Sequence, residues 1–269
     1  MHNLGLKIYG DDKEIPEQEI ISFQNDFNSV LEISFFKDNK YNERTNRILK
    51  RNYNYVYHSN YNLFCLFRYF QDKATIKDLK KELVRAKSVN ATKMVLHLDH
   101  RFPFPSFVNR ESRIFFEDLA VKMLEDLQAI ESFEDLPICI ENTYNHMEIY
   151  KAIIIKARAK GLNVGFTFDL GHAKVWGANS LQEWKNFLVE LHTKEIPLHM
   201  HLHWNNGLYD QHKSIFSKDK DFKPEFYSDL QKELLWVLNT LPNATKILEY
   251  DFQRSLRDLY QIKQIVEDD

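Results

Sequence analysis

The stretch Val164-Gly-Phe-Thr-Phe-Asp169-Leu-Gly-His172-Ala173 is a short aromatic and β-branched run that ends on a carboxylate and passes straight into a polar turn. A run of this length, bounded by turn residues, reads as a buried strand. Seven similar runs occupy the chain around it, near Leu4 to Tyr9, Val30 to Phe35, Tyr53 to His58, Lys93 to His97, Ile138 to Glu141, Leu198 to His203 and Lys246 to Tyr250. Between them lie stretches of helical period. In TIKDLKKELVRAKS, for example, Ile76, Leu79, Leu83 and Ala86 share one face, and SRIFFEDLAVKMLEDLQAIE follows the same rule. Strand and helix in strict alternation predict βαβ units around a parallel sheet. Eight such units predict an α/β fold of the (β/α)₈ barrel type, as one domain over residues 1–269.

The composition agrees with a single large core: 269 residues, 43% hydrophobic. A net charge of -3 with 28% charged residues neither demands nor excludes a polyanionic partner. Cys65 and Cys139 are the only cysteines, and their apolar surroundings predict buried thiols rather than a disulfide framework. The N-terminus lacks the layout of a secretory signal, and no run of about 18 apolar residues occurs, so the chain is expected to be cytoplasmic with no membrane partner. Ser180 and Glu183 have capping-box spacing, Pro224 is expected in the first turn of the helix carrying Leu230 and Leu234, and Asp219 to Asp221 read as a solvated loop. The basic stretch Lys37 to Asn54 reads as a loop plus a solvated helix face, with a phosphate-contacting surface as the alternative.

Chemistry is concentrated where strands end. Six proposed strands end in or contain His58, His97, Glu141, Asp169, His201 and Glu249. In a barrel the C-terminal strand ends converge on one mouth. Burying several ionisable groups together is costly unless they bind a cation or one another. Imidazoles mixed with carboxylates suit Zn²⁺, Mn²⁺, Co²⁺ or Fe²⁺ rather than Ca²⁺. Further candidate ligands follow strands: His172 in FDLGHA, and Asp210 and His212 in LYDQH, where extended backbone would put both side chains on one side.

The segments YHSNY, VLHLD, IENT, FDLGHA, HLHWNNGLYDQH and LEYD, taken in order, resemble the metal-site motifs of the xylose isomerase-like TIM barrel superfamily, which includes endonuclease IV. The resemblance spans Tyr53 to Asp251. It implies one to three divalent metal ions per chain: one on His58, His97 and Glu141, a second on Glu141, Asp169, His201 and Glu249 with Glu141 bridging, and a third on His172, Asp210 and His212. It further implies catalytic roles for Glu141, Glu249 and His172. The substrate implied is abasic nucleic acid or another phosphodiester or phosphate ester, which is hydrolysed; the alternative is a sugar or sugar phosphate, which is isomerised or epimerised with one metal and paired glutamates. The sugar enzymes of the superfamily often carry Arg where this chain has Asp210-x-His212, which favours the hydrolase. Departures from endonuclease IV are His97-Leu98-Asp99-His100, Glu141-Asn142-Thr143-Tyr144, Trp204 in place of an Asp, and KSIFSKDKDFKPEF in place of a Gly-rich stretch. They predict a reshaped mouth. Tyr61 matches a tyrosine of the endonuclease, His203 is a candidate partner of a metal ligand or contact to substrate, and Lys174 a candidate substrate contact.

Overall fold

The computed structural model describes residues 3–10, 15–27, 29–35, 43–51, 53–60, 66–72, 74–98, 109–129, 135–143, 145–176, 179–227 and 229–268. In chain order the elements are β1 (Leu4–Tyr9), α1 (Glu17–Phe27), β2 (Val30–Ser34), α2 (Glu43–Leu49), β3 (Asn54–His58), α3 (Leu66–Gln71), α4 (Ala74–Ser88), β4 (Ala91–His97) and α5 (Arg110–Gln128). They continue with β5 (Ile138–Glu141), α6 (Met147–Ala159), β6 (Val164–Asp169), α7 (Leu170–Trp176), α8 (Leu181–Thr193), β7 (Leu198–Leu202), α9 (Leu230–Thr240), β8 (Thr245–Leu248) and α10 (Phe252–Asp268). The strands close in sequence order into one parallel barrel, β8 pairing with β1 through Leu4 opposite Lys246. The chain is therefore a (β/α)₈ barrel.

Period-two alternation divides each strand between two cores. In β6 the outward Phe166 and Phe168 pack on Trp184 of α8, with ring centroids 6.1 and 5.3 Å apart. Truncating Trp184, a fully buried residue of this layer, would cost about 3–5 kcal/mol. The helix that carries it starts on a complete capping box: Ser180 Oγ accepts from Glu183 N and Glu183 Oε2 accepts from Ser180 N at 2.7 Å. Inside the barrel a separate small apolar plug is formed by Val30, Val56, Val95 and Ile247. Two residues beyond each plug residue comes a polar one: Glu32, His58, His97 and Glu249. The plug is the floor on which the polar mouth stands.

Three sequence expectations shift. Strands β7 and β8 stop at Leu202 and Leu248, so His203 and Glu249 each lie one residue beyond their strand. Pro224 sits in a turn well before α9, whose cap is Asp229, accepting from Lys232 N at 3.0 Å. Asp221 is not merely solvated: it is ion-paired at 2.7 Å to Lys174. Among the described residues no helix is long and apolar enough to cross a membrane.

Candidate metal centre

The nine candidate ligands meet at the C-terminal mouth in three groups, each with its donor atoms within 4.8 Å of one another: His58, His97 and Glu141; Glu141, Asp169, His201 and Glu249; and His172, Asp210 and His212; two further groups, Glu32 with His58, His201 and Glu249, and His203 with His212 and Glu249, overlap them. Glu141 stands between the first two. Its Oε2 lies 2.8 Å from His97 Nε2 and 3.3 Å from His58 Nε2, while its Oε1 lies 3.2 Å from His172 Nδ1 and 3.4 Å from His201 Nδ1. His201 Nδ1 is also 2.9 Å from Glu249 Oε2 and 3.6 Å from Asp169 Oδ2. In the third group Asp210 Oδ2 lies 3.3 Å from His172 Nε2 and 2.6 Å from His212 Nε2.

These residues fit a borderline divalent cation on two grounds. A tetrahedron with ligand bonds of about 2.0–2.1 Å has edges of about 3.4 Å, close to most of these separations. In addition, Glu141 Oε1, His201 Nδ1, Glu249 Oε2 and Asp210 Oδ1 are buried without a hydrogen bond, although each has oppositely charged neighbours. Orphaned donors and acceptors that face a common point are what a cation would satisfy.

The backbone explains why the groups assemble. Asn142, directly after β5, clamps the end of β6: its Oδ1 accepts from Asp169 N at 2.7 Å and its Nδ2 donates to Asp169 O at 2.9 Å. Asp169 Oδ1 then accepts from His172 N at 2.6 Å, which begins α7 and swings the His172 ring over the mouth. Gly171 is required here because a Cβ would lie 1.9 Å from the His203 ring. Asp210 and His212 return to the mouth on a loop closed by the Trp204–Lys213 backbone bridge, at 2.8 and 2.9 Å, and anchored by Asn205, which donates to Gly171 O. His212 takes φ 45°, so the pair converges through a left-handed turn rather than an extended segment.

The substituted stretch after this loop has a structural role. Lys174, buried, donates to Asp221 and Asn205 O and lies over the Tyr227 ring at 4.2 Å, which leaves it no substrate contact. Lys223 caps the end of α7 by donating to Lys174 O and Val175 O. His203 donates toward Asp169 Oδ1 at 3.1 Å and stacks on His212 at 4.2 Å, so it braces two of the candidate ligands. His146 caps α6. Of the basic stretch, Arg47 on α2 engages Glu17 in a bidentate pair. Tyr61, Cys65, His100 and residues 37–42 of the basic stretch lie outside the described residues.

Sequence reasoning missed three buried groups beneath the mouth: Lys7, Glu32 and their neighbour His199. Glu32 is 0% exposed; its Oε2 accepts from His199 Nε2 at 2.7 Å and His201 Nε2 at 2.9 Å, and its Oε1 is 3.2 Å from Lys7 Nζ. A lone charge in the buried runs LGLKIY and VLEIS was the available signal, since such a charge must be paired.

Electrostatically the mouth is a set of opposed charges. Burial pushes the Glu141 and Glu249 carboxyls up, yet the charges of His97 and His201 on the first, and of His201 and Lys7 on the second, hold both well below the usual carboxylate range. Burial pulls the His212 imidazole down, but Glu249 and Asp210 raise it to about 9. Beside these groups opens a cavity of about 590 Å³, lined by His58, His97, His172, Asp210, His212 and Glu249 together with Tyr9, Pro16, Tyr250 and Phe252. That volume suits a small-molecule or nucleotide-sized group.

No protein-family model matches the chain, and no curated protein sequence does. Solved structures do resemble it. The TTHB071 protein from Thermus thermophilus, soaked with ZnCl2, is similar at TM-score 0.69 and 17% identity over 99% of both chains. Endonuclease IV from Thermus thermophilus is similar at TM-score 0.66 and 13% identity over 99% of this chain and 100% of that one. A xylose isomerase domain protein from Planctomyces limnophilus reaches 0.62 at 10% identity, over 99% and 95%. Identities this low carry the fold alone: this chain and these three proteins share a parallel eight-stranded α/β barrel.

Proposed function

We propose that this chain is a divalent-metal-dependent hydrolase of phosphodiesters or phosphate esters, with abasic nucleic acid as the first substrate to test. The observation that carries the reading is the third group, since His172, Asp210 and His212 meet beside the quartet and a one-cation sugar isomerase would give them no metal to hold.

The residues would hold metal as follows: His58, His97 and Glu141 one ion, Glu141, Asp169, His201 and Glu249 another, and His172, Asp210 and His212 a third. Bound there, zinc, or Mn, Co or Fe in its place, would supply positive charge to stabilise both the attacking and the leaving oxygen of phosphoryl transfer. Glu141, standing between the first two groups, would position the attacking water and help to deprotonate it. His172 and His212 hold Asp210 in place between them. A second reading rests on one further observation. Glu141 Oε1 and Glu249 Oε2 approach His201 Nδ1 from two sides, at 3.4 and 2.9 Å, the arrangement a proton-exchanging pair in a sugar isomerase would use, with His172 orienting the substrate.

Elemental analysis of the purified protein, with turnover on an abasic-site oligonucleotide, a generic phosphodiester and a panel of ketoses, tests the choice. About three metals per chain with phosphodiester cleavage is the expected result. One metal with ketose turnover overturns the hydrolase in favour of the isomerase.

A further inference from the structure

Three histidines of the mouth follow one rule. His58, His172 and His212 each donate from Nδ1 to a backbone carbonyl, of Ser59 at 2.8 Å, Asn142 at 2.9 Å and Glu249 at 2.9 Å, so that Nε2 is the nitrogen each offers inward. His201 is reversed. Its Nδ1 faces Glu141, Asp169 and Glu249, and its Nε2 is tied to Glu32 Oε2. An ionised carboxylate only accepts, so Nε2 carries a proton and Nδ1 is the nitrogen that can turn a lone pair toward a metal in the quartet.

We propose that Glu32, held by Lys7, is the positioning residue of the quartet: it fixes the ring and tautomer of His201, while Lys7 fixes the rotamer of Glu249. The inference rests on the metal reading above and deepens it. Lys7 Nζ spans both carboxylates, 3.2 Å from Glu32 Oε1 and 2.5 Å from Glu249 Oε1. With Oε1 so engaged, Glu249 presents Oε2 to the side where His201 Nδ1 stands. A Lys7–Glu32 pair that served only to neutralise charge on the barrel floor would need no further partner. Here one oxygen of Glu32 instead collects the Nε2 protons of two successive inward residues of β7, His199 and His201, and His199 is braced in turn by Thr245 Oγ1 at 2.6 Å. Only an acceptor-only side chain can take both protons on one atom while paired to Lys7. Glutamine would turn its amide donor toward either Lys7 or the two rings.

The test uses the full chain with ¹⁵N-labelled histidine, loaded with ¹¹³Cd²⁺ or Zn²⁺. In the wild type, His201 is expected to show ¹¹³Cd coupling at Nδ1 and a protonated Nε2. Glu32→Gln should lose the protonated Nε2 signal and weaken that one metal about 10 to 100-fold in chelator competition, as loss of such partners does elsewhere, while the other metals keep their affinity. Should Glu32→Gln not fold, Lys7→Met is read in the same competition, with weakening of the same metal expected. A folded Glu32→Gln with wild-type affinity for every metal and an unchanged His201 pattern overturns the inference, and so does wild-type affinity in Lys7→Met when it alone folds. A wild-type chain that takes up no metal overturns the metal reading itself, and the inference with it.

Discussion

Asp210 Oδ2 lies 2.6 Å from His212 Nε2, and His212 makes this contact from φ 45°, a conformation that costs a non-glycine residue on the order of 1–3 kcal/mol. The ring is kept there by its Nδ1 donation to Glu249 O, which ties the third group to the end of β8. Changing Asp210 and His212 together to Ala should remove about one metal per chain and lower phosphodiester cleavage by about 10² to 10³ or more, since even one lost electrostatic donor costs that much. Metal content and turnover of the double variant check this. Full metal content with full cleavage rate would exclude the third group from the reaction.

Glu141 offers one oxygen to each of two groups, so its loss should be felt in both. Glu141→Ala is expected to reduce bound metal and to abolish turnover, whereas His192→Ala, in the last turn of α8, should change neither. Elemental analysis of the two variants side by side is the measurement. Wild-type metal content in Glu141→Ala would remove it from the ligand set.

Strand ends were legible because alternation with a period of two sends every second side chain inward, and the buried runs of β3, β4, β5 and β6 stop on His58, His97, Glu141 and Asp169. The loop residues were legible as ligand types placed just after strands, but nothing local says that Asp210 and His212 fold back through a left-handed turn rather than an extended segment. Lys7 and Glu32 were overlooked because a strand shows which face a charge lies on, but not that its partners stand 242 and 169 residues away, as Glu249 and His201 do. Lys174 misled for the same reason. Its counter-charge Asp221 belongs to a stretch whose polar composition reads as solvated, whereas tertiary folding brings it over α7.

His199 predicts how the metal-free protein responds to acid. Burial pulls its imidazole down to about 4, against the opposing pull of Glu32, so the folded state keeps it neutral while the unfolded chain protonates near pH 6.5. Its contribution to stability is therefore complete above about pH 6.5 and is lost as pH falls from there through about 4, by roughly 3 kcal/mol in all. His201, His172 and His212 are shifted upward, and their contributions are lost in the other direction, as pH rises above about 6.5. Denaturant titrations in EDTA between pH 7 and pH 4 should slope downward for the wild type and flatten for His199→Gln. Parallel slopes would show that His199 is not the group responsible.

Metal removal should also be visible as stability. Glu32, Glu141, Asp169 and Glu249 are all buried in one mouth, and in the metal-free protein imidazolium and Lys7 face their negative charge. A cation that binds only the folded chain adds RT ln(1 + [M]/Kd), which is about 4 kcal/mol at a thousandfold excess over Kd for a single ion. For a chain of this size that corresponds to a rise in melting temperature on the order of 10 °C. Thermal melts at pH 7 with EDTA and with Zn²⁺ or Mn²⁺ restored should differ by at least this amount. The Asp210→Ala/His212→Ala variant should show a smaller rise, because it retains the other two groups and lacks the third. An identical melting temperature in EDTA and in metal would mean that the buried carboxylates are satisfied by their histidines and Lys7 without a cation, and would remove the premise of the metal centre.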